Sequence, residues 1–279
     1  ELNSNNVNII QSVNIKAFDG ILQLHSLGLK RGMKINIPFK HTKHSRKLEK
    51  NGKLLSGISL NKNELTLRYE YQPPIKSSSK IIGADTGINS VITLSDKQQS
   101  TTCNHGHTLN SILAKIVRKK KGSKAFHKAL DHRDNYIRCS INQLNLSDIS
   151  QINLEKVSNF RYKNNVGKFL NYSGEALIRR KLIDFAEDQG VLVKLQSSAY
   201  RSQRCNHCGY VDSKNRGGKL FSCKNCFVQS DADLNASLNH EQPLPSAQFL
   251  LAHRGKFKKF IWKEDGFFNL DGSELTVSD

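Results

Sequence analysis

The feature that most constrains this chain is a pair of Cys-x-x-Cys sequences separated by fourteen residues. Four thiolates at this spacing can bind one Zn²⁺ tetrahedrally and close a small ribbon between them. The sequence therefore predicts a zinc ribbon over residues 205–228, with four ligands: Cys205, Cys208, Cys223 and Cys226. Because a four-cysteine site has no open coordination position, we expect the zinc ion to be structural.

An acidic run, Asp231-Ala232-Asp233, begins five residues after the last of these cysteines, where the ribbon would fix its position. Two earlier acids, Asp85 and Glu155, stand at the ends of predicted strands. In a mixed sheet these points can converge on one edge. Three carboxylates on rigid supports can hold a pair of Mg²⁺ ions for phosphodiester hydrolysis. Either Asp231 or Asp233 could be the third carboxylate. The alternative role for Asp231 is that of a helix N-cap.

The charge of the chain points to a nucleic-acid partner. Lys and Arg number 43 against 24 Asp and Glu, a formal net charge of +19, as expected of a protein that neutralises phosphates. No apolar run approaches the roughly 18 residues of a spanning helix, so we expect no membrane partner. The two cysteines outside the ribbon, Cys103 and Cys139, do not suggest a disulfide framework. We therefore expect a cytoplasmic, nucleoid-associated protein.

Alternating apolar residues predict a β-rich first region, residues 1–78, with no helix. The alternation is clearest near residues 13–15, 34–37 and 65–71. A Pro- and Ser-rich linker follows at 73–79. The later boundaries are predicted at 79–204 for a catalytic region, 205–228 for the ribbon, and 229–279 for a final helix and a C-terminal tail.

The catalytic region reads as a series of strands and helices. We predict a strand from Ile81 to Asp85 with a return strand up to Leu94, and a weak third strand over 100–103. A helical hairpin follows over about 108–145, then a strand over 149–155 ending in Glu155. A helix striped by Ile178, Leu182, Phe185 and Ala186 stops near Gly190, before a strand at 191–195 and a helix beginning near Asp233. This order predicts an α/β protein with a ribonuclease H-like, RuvC-type mixed sheet and an inserted zinc ribbon, preceded by a small barrel-like β domain.

The helical hairpin carries a concentration of positive charge. A solvated helical face is one interpretation of such a run. The total charge and the neighbouring acids favour a surface that binds nucleic acid. The residues concerned are Lys115, Arg118, Lys119, Lys120, Lys121, Lys124 and Lys128.

Several of these motifs together resemble the TnpB family, the transposon-encoded nucleases related to type V CRISPR effectors. The resemblance lies in Gly83-Ala84-Asp85-Thr86-Gly87, the Glu155 strand, the block 200–209, and the two segments 223–226 and 231–236. It implies a RuvC-like fold in which Asp85, Glu155 and Asp233 match the catalytic acids of the family. It also implies a prokaryotic or phage setting and a guide RNA that pairs with target DNA. Arg201-Ser202-Gln203 stands where the family usually has Thr-Ser-Gln.

The resemblance predicts an RNA-guided, metal-dependent DNA endonuclease. The alternatives are a nuclease-silent, RNA-guided DNA-binding protein that acts as a repressor, an RNA-binding factor of the same fold, or an unguided resolvase. Members of the family usually have a longer region before the first catalytic strand, whereas 84 residues precede Asp85 here. We therefore expect a structured RNA or a second copy of the chain to complete the channel that holds the guide–target duplex.

Overall fold

The computed structural model describes residues 7–11, 17–25, 34–156, 167–253 and 257–275. The chain divides into two compact units, Glu1–Pro73 and Pro74–Asp279. The first unit ends within the predicted linker, five residues before the predicted boundary at 78. The further division of the second part into a catalytic region, a ribbon and a tail stays a prediction.

The first unit is built from short antiparallel strands. Strands β1 (Val7–Gln11), β2 (Gly20–Leu24) and β3 (Ile35–Phe39) form a sheet in that order. Two smaller ladders pair β4 (Gly52–Leu54) with β7 (Tyr69–Tyr71) and β5 (Ser59–Leu60) with β6 (Leu65–Thr66). Leu22, Leu24 and Ile58 form its buried core. The strands predicted near 34–37 and 65–71 are confirmed, whereas the one near 13–15 lies outside the described residues.

The expectation of a first region without helix is wrong, because α1 spans Lys43–Asn51. Thr42 caps this helix by accepting a 3.1 Å hydrogen bond from the backbone N–H of Ser45. None of its residues is buried, so it lacks the apolar stripe by which a helix is recognised in sequence. An exposed ion pair, the 3.1 Å contact between Arg46 Nη2 and Asp19 Oδ1, also links it to the preceding part of the unit.

A four-stranded mixed sheet forms the centre of the second unit. Its strands are β8 (Ile81–Asp85), β9 (Thr93–Leu94), β10 (Gln151–Lys156) and β11 (Leu192–Ser197), in the order β11-β10-β8-β9. Strand β10 runs parallel to both β8 and β11, while β9 is antiparallel to β8. The four strands predicted here are therefore confirmed.

The weak third strand predicted over 100–103 does not form. Only a single bridge, between Thr93 and Gln99, extends the sheet beyond β9 in the described residues. The following segment turns away from the sheet, because the carbonyl of Thr101 accepts a 2.6 Å hydrogen bond from the hydroxyl of Tyr136. The carbonyl of Cys103 in turn closes a tight turn with Gly106.

Helices pack against this sheet, and those over 109–117, 124–142 and 175–188 do so with the apolar faces that the sequence predicts. They are α2 (Leu109–Val117), α3 (Lys124–Asn142), α4 (Lys168–Asn171), α5 (Glu175–Asp188) and α6 (Ala232–Glu241). Helices α2 and α3 form the predicted hairpin, and Ile178, Leu182 and Ala186 of α5 are buried in the main core. Among the described residues, no helix has both the length and the apolar character needed to cross a membrane.

The predicted ribbon consists of four short strands, and part of the predicted tail folds onto it. The ribbon strands are β12 (Tyr210–Asp212), β13 (Arg216–Gly217), β14 (Leu220–Ser222) and β15 (Gln229–Asp231). Near the C-terminus β16 (Lys259–Lys263) and β17 (Gly266–Phe268) form a hairpin, and β16 pairs with β12. Phe260 and Trp262 of this hairpin are fully buried.

Helix α6 packs directly against β8, with only a glycine between the two backbones. A Cβ atom at Gly83 would overlap the carbonyl oxygen of Ser237 and come within 2.5 Å of the backbone nitrogen of Glu241. The side-chain amide of Asn153, on the neighbouring strand, donates a 2.9 Å hydrogen bond to the carbonyl of His240. These contacts fix the end of α6 against the edge where β8 and β10 terminate.

We predict that Gly83→Ala destabilises the second unit by about 3 kcal/mol, because the added methyl group meets backbone atoms that cannot move independently. Gly217→Ala is the matched control, since a Cβ atom there has nothing within 4 Å. Its effect should stay within about 0.5 kcal/mol. Urea unfolding of the two variants checks this, and equal midpoints would contradict the close approach.

Candidate metal centres

The four ribbon cysteines lie together as a metal site requires. Their sulfur atoms are all within 4.8 Å of one another, with Cys205 and Cys226 3.7 Å apart and Cys208 and Cys223 3.6 Å apart. A tetrahedral ion with Zn–S bonds of about 2.3 Å separates its sulfurs by about 3.8 Å. The donor set and its spacing are therefore compatible with Zn²⁺.

Backbone turns and one buried amide give the ribbon this geometry. Gly209 has φ +78°, and its N–H donates a 2.9 Å hydrogen bond to the carbonyl of Cys205. The side chain of Asn215 donates to the carbonyl of Gln203 at 2.9 Å and accepts from the N–H of Lys224 at 3.0 Å. Asn215 thus links the two knuckles independently of a metal ion.

A second group of potential ligands lies where β8 and β10 end. Ala84 and Leu154 are register partners in these parallel strands, so Asp85 and Glu155 follow them on adjacent strands. One ligand atom each from Asp85, Glu155 and His240 lies within 4.8 Å of the other two. Thr86 orients the pair by donating a 3.2 Å hydrogen bond to Glu155 Oε1.

The two carboxyl groups are electrostatically strained in the absence of a cation. Burial raises the pKa of Asp85 well above its usual value, and the neighbouring charges of Glu155 and Asp233 raise it further. Burial also raises the pKa of Glu155, although the hydrogen bond from Thr86 opposes this shift. A bound divalent cation would remove the repulsion, so hard oxygen ligands of this kind fit Mg²⁺.

The structure places Asp233 beside this group but gives it a different partner. Its Oδ1 atom accepts a 2.7 Å hydrogen bond from Arg216 Nη2, and its side chain is 8% exposed. Asp231 is the N-cap of α6, accepting from the N–H groups of Asp233 at 2.9 Å and Leu234 at 3.0 Å. The N-cap alternative for Asp231 is therefore the one that the structure adopts.

Sequence reasoning missed two residues of this site, His240 and Arg216. Burial and the charge of Arg201 lower the pKa of His240 to about 3, so its ring is neutral. Its Nδ1 atom has no hydrogen-bond partner among the described residues. His240 lies seven residues after Asp233, which places both on one face of α6 about 10 Å apart along its axis. That spacing is the signal that could have identified His240.

The carboxylate group opens into a cavity of about 1100 Å³. Asp85, Glu155 and His240 line it. Two further carboxylates, Glu175 and Asp212, line the cavity, and so do four lysines: Lys156, Lys214, Lys258 and Lys259.

Two buried arginines connect the start of the ribbon to α6. Arg201 donates to the carbonyl of Asn239, and Arg204 donates to the carbonyl of Trp262 at 2.8 Å. The side chain of Asn239 returns hydrogen bonds to the carbonyls of Arg201 at 2.9 Å and Arg204 at 2.7 Å. Burial lowers the pKa of each arginine to about 10, so both remain charged at neutral pH. The block 200–209 therefore has a structural part in holding the ribbon on the helix.

All seven basic residues predicted to bind nucleic acid are exposed or half-buried at the surface. They lie on α2, on α3 and in the turn between them: Lys115, Arg118, Lys119, Lys120, Lys121, Lys124 and Lys128. The apolar residues of these two helices face the core, for example Ile112, Ile116 and Phe126. The positive charge is thus directed to solvent, as a phosphate-binding surface requires.

Comparison with known proteins finds similarity for the ribbon and its flanking helices. The family model described as "Cas12f1-like, TNB domain" matches residues 176–240, from α5 to the end of α6. The CRISPR-associated endodeoxyribonuclease Cas12f1 of Sulfoacidibacillus thermotolerans is 30% identical over 136 residues, which are 48% of this chain and 31% of that protein. InsQ of Escherichia coli (strain K12), a TnpB protein to which RNA-guided DNA endonuclease activity is ascribed, is 25% identical over 202 residues, 61% of this chain and 50% of InsQ.

The resemblance to the TnpB family is confirmed. The fold agrees: in a cryo-EM structure of a Cas12f1–sgRNA–target DNA complex, the protein aligns with 85% of this chain and 62% of its own length. The TM-score is 0.52 at 13% identity, so this likeness concerns the fold alone. The chain spans about a third to a half of the length of the two TnpB-like relatives described above.

We predict that Asp85→Asn stabilises the protein at neutral pH when no divalent cation is added. Folding raises the pKa of Asp85, so the folded protein binds this proton more tightly than the unfolded chain does. The free energy of unfolding of wild type should therefore fall by about 1.4 kcal/mol for each pH unit between about pH 4 and the pKa of the folded state. The difference in the free energy of unfolding between Asp85→Asn and wild type should grow over that pH interval and then stay constant. Thermal unfolding at a series of pH values measures it.

Asp148→Asn is the matched control, because the pKa of Asp148 is lowered by its hydrogen bond with Lys80. The stability that Asp148 contributes is present above about pH 4 and is lost as pH falls. Its variant should therefore be less stable than wild type at neutral pH. Parallel pH curves for wild type and Asp85→Asn would contradict the strained carboxylate pair.

Proposed function

We propose that this chain is an RNA-guided, Mg²⁺-dependent DNA endonuclease of the TnpB type. The observation that carries the proposal is the meeting of Asp85 and Glu155 at the ends of adjacent parallel strands, in an open cavity lined by lysines. Repulsion between two such carboxylates destabilises the free protein. A cation that binds between them and a phosphate would explain why the protein keeps them together.

The arrangement of the sheet supports a ribonuclease H-like, RuvC-type domain. Its order β11-β10-β8-β9, with one antiparallel edge strand and α6 against β8, brings the carboxyl ends of β8 and β10 to one edge. The likeness of fold to Cas12f1 agrees with this assignment. That Cas12f1 is bound to an sgRNA and target DNA, and we extend the same two partners to this chain.

We assign three carboxylates to the catalytic centre. Asp85 and Glu155 would hold the cations, and Asp233 would be a third ligand once its ion pair with Arg216 is released. Two Mg²⁺ ions would supply the activation of the attacking water and the neutralisation of the phosphate. His240 offers a neutral nitrogen beside the same carboxylates and is a further ligand or hydrogen-bond partner for this centre.

The zinc ribbon would influence this centre only by fixing the position of Asp233. Cys226 is followed within five residues by Asp231, which caps α6 and so orients Asp233. Zinc bound by the four cysteines would therefore be structural, as expected of a closed four-thiolate site. The exposed lysines of α2, α3 and the turn between them would neutralise the phosphates of the guide–target duplex.

One observation favours a second function, guided DNA binding without cleavage. The 2.7 Å contact between Arg216 and Asp233 already neutralises the third carboxylate. If this ion pair persists with nucleic acid bound, the centre keeps two carboxylates, and the protein would act as a repressor.

We predict that the protein, purified from its host with its bound RNA, cuts DNA complementary to that RNA when Mg²⁺ is present. Asp85→Asn, Glu155→Gln and Asp233→Asn should each slow cleavage by at least about 100-fold, because each removes charge stabilisation worth several kcal/mol in the transition state. Binding of the same DNA, measured by filter retention, should persist in all three variants.

Asp231→Asn is the control for Asp233→Asn, because asparagine preserves the N-cap and should leave cleavage nearly unchanged. Wild-type protein that binds the matching DNA without cutting it would favour the repressor. Cleavage gained by Arg216→Gln would then identify the ion pair as the cause. Full cleavage by Asp85→Asn would refute the proposed centre.

We also predict that changing Lys119, Lys120, Lys121 and Lys124 together to Gln weakens binding about equally for every nucleic-acid sequence. Each lost phosphate contact should lower the slope of log affinity against log salt by about 0.7–0.9. The four Lys→Arg substitutions are the charge-preserving control and should keep the wild-type slope. An unchanged slope for the Gln variant would show that these lysines form a solvated helical face and do not contact phosphates.

A further inference from the structure

A third group of metal-compatible side chains lies away from the ribbon and the carboxylates. One ligand atom each from Cys103, His105 and His132 lies within 4.8 Å of the other two. The sulfur of Cys103 is 3.8 Å from Nε2 of His132. Neither the zinc ribbon nor the proposed nuclease centre uses these residues.

A fourth donor stands beside the group. The ring of His107 lies 5.6 Å from that of His132, measured between centroids, with the planes at 74°. The ring of His105 is 6.4 Å from the same imidazole. The segment Cys103-Asn104-His105-Gly106-His107 thus directs three potential ligands towards one side chain of α3, which makes four in all.

The backbone after Cys103 forms a turn that is one residue shorter than the turn after Cys205 in the ribbon, although both turns include a glycine with positive φ. The N–H of Gly106 donates a 2.8 Å hydrogen bond to the carbonyl of Cys103, and Gly106 has φ +74°. In the ribbon the N–H of Gly209 donates a 2.9 Å bond to the carbonyl of Cys205, and Gly209 has φ +78°. In each segment the N–H of a left-handed glycine returns to the carbonyl of a cysteine, so the chain turns directly after that cysteine.

Both supports of the group are rigid. His132 lies in the interior of the 19-residue helix α3. One turn later Tyr136 donates a 2.6 Å hydrogen bond to the carbonyl of Thr101, which fixes the start of the turn on the same helix. At its other end, Thr108 caps α2 with a reciprocal pair of bonds to Ser111. The ligands are therefore preorganised from both sides.

We propose that Cys103, His105 and His132 bind a second zinc ion, with His107 as the fourth ligand. One thiolate and three neutral imidazoles form a donor set that suits Zn²⁺ and does not suit Mg²⁺, which prefers oxygen.

The ion would tie the connection between β9 and α2 to the middle of α3. Both helices carry the exposed lysines assigned above to phosphate binding. Zinc would thus brace the helical hairpin at the point where it leaves the sheet. The packing alternative is a cluster of imidazoles held by the cysteine–histidine contact alone, and it predicts no bound ion.

The test is the zinc content of the whole chain, purified without chelators and dialysed against buffer, measured by mass spectrometry. We expect about two zinc ions per chain in wild type and about one in Cys103→Ser and in His132→Gln. Two matched controls should keep both ions: Cys139→Ser, an exposed cysteine of α3, and His127→Gln, an exposed histidine of the same helix. Cys205→Ser should lose one ion from the ribbon, independently of the other variants.

Cobalt substitution provides a second measurement that does not depend on the stoichiometry of the ribbon. Co²⁺ in a site with one thiolate should add absorption to that of the four-thiolate site, and Cys103→Ser should remove only that addition. One zinc ion in wild type, with the same cobalt spectrum in wild type and Cys103→Ser, would overturn the proposal. Two ions in both Cys103→Ser and His132→Gln would also overturn it. Neither result would bear on the proposed nuclease function, since the carboxylate residues are unchanged.

Discussion

The geometry of the carboxylate group depends on the absence of a side chain at Gly83. Because no Cβ atom intervenes, the backbone of α6 lies directly on β8, and the carbonyl of His240 is close enough to accept a hydrogen bond from Asn153 on β10. A side chain at this position would move the helix outwards, separating His240 from Asp85 and Glu155. The close packing of one strand and one helix therefore determines which functional groups meet.

The ribbon reaches the same helix through a buried polar network. Arg201, Arg204 and Asn239 exchange hydrogen bonds, and both arginines lie over the ring of Trp262, at 5.3 and 5.9 Å from its centroid. Buried charges are costly unless they are fully satisfied, and here backbone carbonyls satisfy them. The C-terminal hairpin therefore completes the network that couples ribbon to helix, which explains why so polar a segment is buried.

Sequence periodicity predicted the elements whose apolar residues face one core. It identified the strands ending at Asp85 and near Glu155, the helical hairpin and the ribbon cysteines. Each of these is encoded by a short local pattern: an apolar run in the strands, apolar residues three or four apart in the helices, and the Cys-x-x-Cys spacing in the ribbon. It missed α1, which has no buried residue and therefore no apolar stripe, and it wrongly extended the sheet over 100–103. For His240, the seven-residue spacing from Asp233 was the local signal. The contact of Arg216 with Asp233 depends on how β13 packs against α6, and no local pattern encodes that.

The three groups of potential metal ligands present different donor atoms, and this difference determines which metal ion each group would bind. The ribbon presents four sulfurs, the group on α3 presents sulfur and imidazole, and the strand ends present carboxylates beside one imidazole. Zinc binds thiolate and imidazole far better than Mg²⁺ does, whereas carboxylates suit the harder ion. Sites that are filled by zinc during folding would therefore leave the carboxylates free for Mg²⁺. His240 is the exception in this scheme, because a nitrogen ligand beside Asp85 and Glu155 would raise the affinity of that centre for transition metals.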